Sequence, residues 1–204
     1  NGNRNRSGNA WLGHNRIEDD QMKNLYAVIG LGLSGAAAAS LLTEKKEQVL
    51  LYDDNTELDK EGFYEKYPEL KELPMYLGEL PEDIKAKVTT AVLAPGVPLS
   101  QPIVQDLKDR GAKITGEVEL AFTYEKGRVS AITGTNGKTT TTSLLGELLR
   151  RHFDDVHVVG NIGIPYTKEV LHTTEDSVIA AEISSFQLET ISSFAPMVSA
   201  ILNI

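Results

Sequence analysis

The tightest constraint on this chain is a pair of glycine-rich turns, each set between a β-branched run and a helical stretch. The first, Gly30-Leu31-Gly32-Leu33-Ser34-Gly35, follows Leu25-Tyr-Ala-Val-Ile29 and opens the Ala-rich stretch Ser34 to Leu42. The second, Gly134-Thr135-Asn136-Gly137-Lys138-Thr139-Thr140, follows Arg128-Val-Ser-Ala-Ile-Thr133 and opens a helix read from Lys138 to Arg151. A strand that turns straight into a helix through glycines leaves the first N–H groups of that helix free to face an anion. Further strand-like runs lie at 48–52, 89–93, 113–115, 156–159, 177–181 and 197–201, with a helix at 101–110. Strand and helix alternate throughout, which predicts parallel sheets with helical crossovers.

The expected fold class is therefore α/β. Residues 25–118 read as a Rossmann-like N-terminal parallel sheet, and 119–204 as the first part of a P-loop ATPase-type α/β domain, with the boundary near Gly116 to Arg128. Residues 1–24, rich in Asn, Gly and Arg and without periodicity, read as a disordered leader or an artefact. Met197 to Ile204 reads as a buried strand, and a parallel unit that stops on a strand suggests truncation.

Composition narrows the function classes. With 204 residues, a formal charge of −9 and 41% hydrophobic residues, the chain is neither disordered nor collagen-like. No apolar run reaches the length of a membrane span. The absence of cysteine excludes a disulfide scaffold, a Cys-based zinc site and a thiol nucleophile, and fits a cytoplasmic protein. The acidic balance argues against a nucleic-acid partner. Any anion must be held by local devices. The four histidines have no metal-ligand spacing, and Glu61, Glu65, Glu69, Lys71 and Glu72 read as a solvated face.

The two turns carry the chemistry. In the second, successive N–H groups can wrap a triphosphate, Lys138 can reach the β/γ oxygens, and the Thr139 hydroxyl can ligate Mg²⁺. It departs from the common G-x-x-x-x-G-K-T pattern because Ile132 stands where the first Gly would be. The first turn fits a diphosphate, with Asp53 and Asp54 at the end of the next strand as candidate ribose acceptors. It leaves the nucleotide open, and a tight turn that binds nothing has the same pattern.

The loop at 134–140 resembles the ATP loop of the Mur ligases, which add amino acids to a UDP-linked muramyl precursor of peptidoglycan. Gly160-Asn161-Ile162-Gly163 resembles the Gly-Asn-Ile-Gly segment of that family. Glu182-Ile183-Ser184-Ser185-Phe186-Gln187-Leu188 is similar to a segment typical of its D-glutamate-adding branch, and Ile201-Leu202-Asn203-Ile204 to the start of its Asn-Ile-Thr-Pro-Asp-His segment. The resemblance implies ATP and Mg²⁺ as cofactors. Gly134, Thr135, Asn136, Gly137, Lys138, Thr139 and Thr140 would bind ATP, Lys138 and Glu182 would be catalytic, and Thr139 and Glu182 would ligate the metal. Gly32, Leu33, Ser34, Asp53, Asp54, Asn161 and Ser184 would bind UDP-N-acetylmuramoyl-L-alanine, and Ala94-Pro95-Gly96-Val97-Pro98 would lie near the same ligand. A monomeric ligase joining D-glutamate through an acyl phosphate is the function implied. The family's carbamylated Lys, its His and its amino-acid-binding domain come later in its members, so this polypeptide is expected not to complete ligation alone.

Blander readings stand beside these. Glu182 can cap a helix, Ser184 and Ser185 can be N-caps, and Phe186 and Leu188 read as core. Rival functions are a nicotinamide oxidoreductase, which leaves Lys138 and Thr139 unexplained; a non-catalytic module holding a UDP-sugar; and another Mur or folylpolyglutamate-type ligase.

Overall fold

The computed structural model describes residues 24–161 and 163–204. The leader assigned to the first residues lies, up to residue 23, outside the described residues.

The first sheet is built from β1 (Leu25–Ile29), α1 (Leu33–Glu44), β2 (Gln48–Asp53), α2 (Lys60–Lys66), β3 (Met75–Leu77), α3 (Glu82–Lys85), β4 (Thr90–Leu93), α4 (Pro102–Asp109) and β5 (Lys113–Gly116). Its strands lie in the order β3-β2-β1-β4-β5. All pairs are parallel, with Ala27 of β1 opposite Leu50 on one side and Ala91 on the other. The second sheet follows through α5 (Glu117–Tyr124), β6 (Arg128–Thr133), α6 (Lys138–Leu149), β7 (Val156–Gly160), α7 (Tyr166–Glu169), β8 (Val178–Glu182), α8 (Ser185–Leu188) and β9 (Val198–Ile201). Its order is β7-β8-β6-β9, again parallel throughout. The chain is thus α/β with doubly wound parallel sheets. In such sheets the connections leave opposite faces where the strand order reverses, and a crevice opens beyond the strand ends there. That point is β1/β4 in the first sheet and β6 in the second, and each carries a glycine-rich turn.

Strand alternation divides the core. Val28, Leu51 and Val92 point to one face, against the Ala36, Ala38, Ala39 and Leu42 face of α1 and against α5. Ala27, Ile29, Leu50, Ala91 and Leu93 point to the other, against Ile103, Val104 and Leu107 of α4. Small residues on α1 let the helix lie close to the sheet. Gly35 marks the limit: a Cβ there would fall 1.8 Å from the Gly30 carbonyl oxygen.

Two details add to the sequence reading and a third corrects it. The charged stretch at 61–72 is exposed at its acids and lysines, but it forms α2 and a 3-10 turn that bury Phe63 and Leu70. The segment at 117–124 is a helix lodged between the sheets, with Glu117 and Glu119 buried. The terminal strand is exposed, not buried: β9 is an edge strand, with Val198 59% and Ile201 67% exposed, as is Met197 just before it at 68%. Pairing with β6 orders its backbone, and Ser199, Ala200 and Ile201 line an open cavity with Ile191, Phe194 and Pro196.

Candidate functional site

The first turn sits at the β1/β4 crevice. Gly30 has φ +89, a left-handed backbone that favours glycine, and its N–H donates to the Tyr52 carbonyl at 2.8 Å. The Leu31 N–H donates to Asp53 Oδ2 at 2.7 Å, so a carboxylate at the end of β2 holds the turn open. The other oxygen of Asp53 accepts from the Asn55 N–H at 3.0 Å. Gly32, Leu33, Ser34 and Asp53 line a cavity of about 400 Å³, with Pro95 and Gly96 from the loop after β4 on its far wall. Asp54 is not in that lining; it accepts from Gln101 Nε2 at 2.9 Å. The structure separates the two aspartates that the sequence offers as a pair: Asp53 braces the turn, and Asp54 ties the exposed side of β2 to the start of α4.

The cavity is closed by the second sheet. Gly160, Asn161, Gly163 and Pro165, from the loop after β7, complete its lining. Asn161 also lines a second cavity of about 770 Å³, which contains Gly134, Thr135, Lys138, Ser184 and Asn203. Pro95, Gly96 and Asn161 belong to both cavities, so the two meet there.

The phosphate-type loop turns between β6 and α6. Gly134 has φ +142 and Gly137, the N-cap of α6, has φ +82. The Lys138 ammonium donates to the loop carbonyls of Gly134 at 2.7 Å and Thr135 at 3.1 Å. It has no carboxylate partner among the described residues, so an incoming anion competes only with neutral acceptors. Asn136, Gly137, Thr139 and Thr140 are exposed around the start of α6.

Glu182 joins the loop to the cleft. Register places it at the carboxyl end of β8, opposite Ile132 of β6 and Gly160 of β7. Its side chain, in a residue only 1% exposed, accepts from the Thr139 hydroxyl at 2.8 Å through Oε2 and from Asn161 Nδ2 at 3.2 Å through Oε1. Such a carboxylate is costly to bury unless it is hydrogen-bonded or meets a cation. Mg²⁺ takes oxygen ligands and is commonly held by one or two carboxylates, with water and phosphate oxygens completing the shell. The Thr139 hydroxyl and Glu182 carboxylate fit that donor set. No cluster of three or more His, Asp or Glu suited to a metal occurs among the described residues, so a site for a metal held by protein ligands alone is not built here.

Ser184 lines the second cavity and also caps α8. Its Oγ accepts from the Gln187 N–H at 3.3 Å, and its own N–H donates to Gln187 Oε1 at 2.9 Å. This is a capping box, with Gln as the returning partner. Phe186 and Leu188, read as core, are 66% and 36% exposed and line the cavity. The capping box explains the reversal: it starts a one-turn helix that buries Gln187 and turns its neighbours outward. Asn203, quoted in the sequence only as part of a terminal segment, reaches the phosphate loop. Its one sequence signal is its place just beyond the strand that neighbours β6.

Two doubly wound sheets whose glycine-rich crevices face a common cleft define an α/β protein with two adjoining cavities of a shape and lining suited to phosphate groups. The comparisons name the class more closely. Residues 24–116 match the family described as Mur ligase MurD-like, N-terminal domain, and residues 132–204 match Mur ligase middle domain. The chain belongs to the Mur ligase family. It is 50% identical over 177 residues to UDP-N-acetylmuramoylalanine--D-glutamate ligase of Lachnoclostridium phytofermentans, covering 87% of this chain and 39% of that protein. It is 49% identical over 185 residues to the like-named protein of Lachnospira eligens, covering 91% and 41%. The chain therefore spans about two fifths of the length of these relatives. Among solved structures, UDP-N-acetylmuramate:L-alanyl-gamma-D-glutamyl-meso-diaminopimelate ligase from Neisseria meningitides shares the fold, with a TM-score of 0.53 at 17% identity over 89% of this chain and 60% of that one. ATP and Mg²⁺ are used generally in this family.

Proposed function

We propose that this chain forms the UDP-substrate and ATP-phosphate sites of an ATP-dependent ligase that joins D-glutamate to UDP-N-acetylmuramoyl-L-alanine. One observation carries the reading: Glu182 accepts at once from Thr139 beside the phosphate loop and from Asn161 in the cleft of the other cavity. A group bound in one cavity and a phosphate bound in the other would meet at Pro95, Gly96 and Asn161.

A carboxylate does not react with an amine at neutral pH, because oxide is too poor a leaving group. ATP supplies the phosphoryl group that would convert the alanyl carboxylate to an acyl phosphate, and the D-glutamate amine would attack its carbonyl carbon, forming the amide as inorganic phosphate leaves. The residues of this chain position and neutralise. Gly32, Leu33 and Ser34, at the N-terminus of α1, would hold the uridine diphosphate, with Asp53 keeping the turn in shape. Lys138 would move its ammonium from the Gly134 and Thr135 carbonyls to the terminal phosphates. Thr139 and Glu182 would hold Mg²⁺ beside them. Asn161 would orient the muramoyl side, with Ser184 on the adjoining wall. Asp54 has the weakest claim, since its carboxylate is turned to Gln101.

The dependence on ATP fits a cytoplasmic reaction, and no helix among the described residues is long and apolar enough to cross a membrane. The test is calorimetric titration of the 204-residue chain. UDP-N-acetylmuramoyl-L-alanine should bind, and Asn161→Ala should weaken that binding. ADP release should stay at background when D-glutamate is added, because the family's amino-acid site lies in the part of the relatives that this chain does not match. Undetectable binding of the UDP-sugar, or turnover at the rate of an intact relative, defeats the reading.

A further inference from the structure

Asn203 meets the phosphate loop in an unusual way. The β6–β9 ladder ends at Thr133 opposite Ile201, and the Leu202 N–H still donates to the Thr133 carbonyl at 2.9 Å. Beyond that point the loop leaves the sheet, yet pairing continues. The Thr135 N–H donates to the Asn203 carbonyl at 3.3 Å. The Asn203 side chain then takes over from the backbone. Its Oδ1 accepts from the Asn136 N–H at 2.9 Å, and its Nδ2 donates to the Asn136 carbonyl at 3.0 Å. A planar amide is the side-chain group that offers a donor and an acceptor side by side, as a peptide does. Asn203 therefore acts as one more residue of strand laid along the loop.

The packing leaves little slack. A Cβ on Gly134 would lie 3.1 Å from both the backbone N and O of Asn203. Gly137, which starts α6, faces Leu202 Cδ1 at 3.6 Å from its own Cβ position. The segment 202–203 forms the floor on which residues 134–137 turn. A phosphate loop works by presenting N–H groups in a fixed arc, and a loop that must first be ordered loses affinity to that ordering.

We infer that Asn203 is a positioning residue for nucleotide binding: its side-chain amide holds Asn136 by both main-chain groups and keeps the loop in its binding form before the ligand arrives. The inference rests on the ATP reading of the site, but its structural half can be tested without ATP. Asn203→Ala removes both side-chain bonds. Asn203→Asp keeps an acceptor, loses the donor, and sets a negative charge against the Asn136 carbonyl. Asn203 is exposed, so neither change opens a core cavity.

Two measurements decide it. The first is ATP·Mg²⁺ affinity by calorimetry, with UDP-N-acetylmuramoyl-L-alanine affinity and Tm as controls. Asn203→Ala should weaken nucleotide binding about tenfold, the worth of two net hydrogen bonds, and Asn203→Asp should weaken it more. The UDP-sugar affinity should not move, because the uridine diphosphate would sit in the first cavity, which Asn203 does not line. Nucleotide affinity equal to that of the unsubstituted chain overturns the inference, as does an equal loss at both sites. The second is amide hydrogen exchange at Asn136 in the ligand-free chain. It should be slow in the unsubstituted protein and at least about tenfold faster in Asn203→Ala. If the unsubstituted chain fails to bind ATP, the proposed function falls at this site while exchange still decides the role of Asn203. Faster exchange in the variant then upholds the loop-holding role, and unchanged exchange refutes it.

Discussion

At the scale of single residues, the candidate site consists of committed hydrogen bonds whose partners a ligand would replace. Lys138 shows this best. Its ammonium rests on two carbonyls, whereas a triphosphate offers charge-assisted bonds worth about 1.5–3 kcal/mol. Lys138→Ala should therefore weaken ATP·Mg²⁺ binding by about 10- to 100-fold in calorimetry, with little change in Tm because the lost bonds lie on the loop's surface. Unaltered affinity would mean that the ammonium does not reach phosphate. Glu182→Gln separates the metal from the fold. The amide can still accept from Thr139, so stability should hold, but the dependence of ATP affinity on Mg²⁺ concentration should flatten. The place of Lys138 and Thr139 at the mouth of a strand–helix turn was legible in the sequence, because glycines beside a lysine and a threonine there admit few readings, whereas Glu182 was offered only by the family resemblance. The partners were not. Asp53 could be placed at a strand end, but that it would accept from Leu31 depends on how two strands align. Ser184 could be read as cap or contact, and the structure shows it capping α8 from the wall of a cavity.

At the scale of elements, the turn before α1 is held by one steric condition. Gly35 touches the Gly30 carbonyl so closely that a methyl group cannot fit without moving the strand or the helix. Gly32, three residues earlier, has open space around it and an ordinary φ of −71. Gly35→Ala should lower stability by about 1–3 kcal/mol, the range for overpacking. Gly32→Ala should cost less than about 1 kcal/mol, since a glycine N-cap is worth only a fraction of that over alanine. Urea unfolding of both variants measures the difference, and equal losses would show that the close approach is not what Gly35 serves. Elements with a full period were legible, such as α1, α6 and the strands at 25–29 and 128–133. The short ones were not. Helices α3, α7 and α8 have four residues each, too few for a helical period to show. The segment Glu117-Val-Glu-Leu-Ala-Phe-Thr-Tyr124 is misleading in a different way. Its polar and apolar residues alternate at first as in a strand, yet it is a helix, and both its glutamates find partners far along the chain.

At the scale of the whole molecule, those glutamates add buried polar ties to an apolar core that already runs across both sheets. Glu117, at the first position of α5, accepts from the Thr167 N–H at 2.7 Å and the Thr167 hydroxyl at 2.8 Å, at the start of α7. Glu119 accepts from the N–H groups of Ser192, Ser193 and Phe194 at 2.8–3.0 Å, and from the Ser193 hydroxyl. One helix thus grips two segments that follow β7 and α8. The two carboxylates shift in opposite directions. Burial raises the pKa of Glu117 from the usual carboxylate range, and its hydrogen bonds offset only part of that. At Glu119 burial also pushes upward, but the hydrogen bonds outweigh it and the net shift is downward. A lowered folded-state pKa adds stability above the unfolded value and loses it as pH falls through the folded one. A raised folded-state pKa adds stability at low pH and loses it as pH rises through the folded value. Glu119→Gln should therefore destabilise at neutral pH, where it replaces a charge-assisted acceptor, and its penalty should shrink on acidification. Glu117→Gln should do the reverse. It should be nearly neutral in acid, where Glu117 is itself uncharged, and it should gain relative to the unsubstituted protein as pH rises above the carboxylate range. Unfolding free energies of the three proteins across acid to mildly alkaline pH test this directly. Parallel curves for Glu117→Gln and the unsubstituted chain would show that Glu117 carries the same charge folded and unfolded. The fastening of the sheets would then rest on packing and on Glu119.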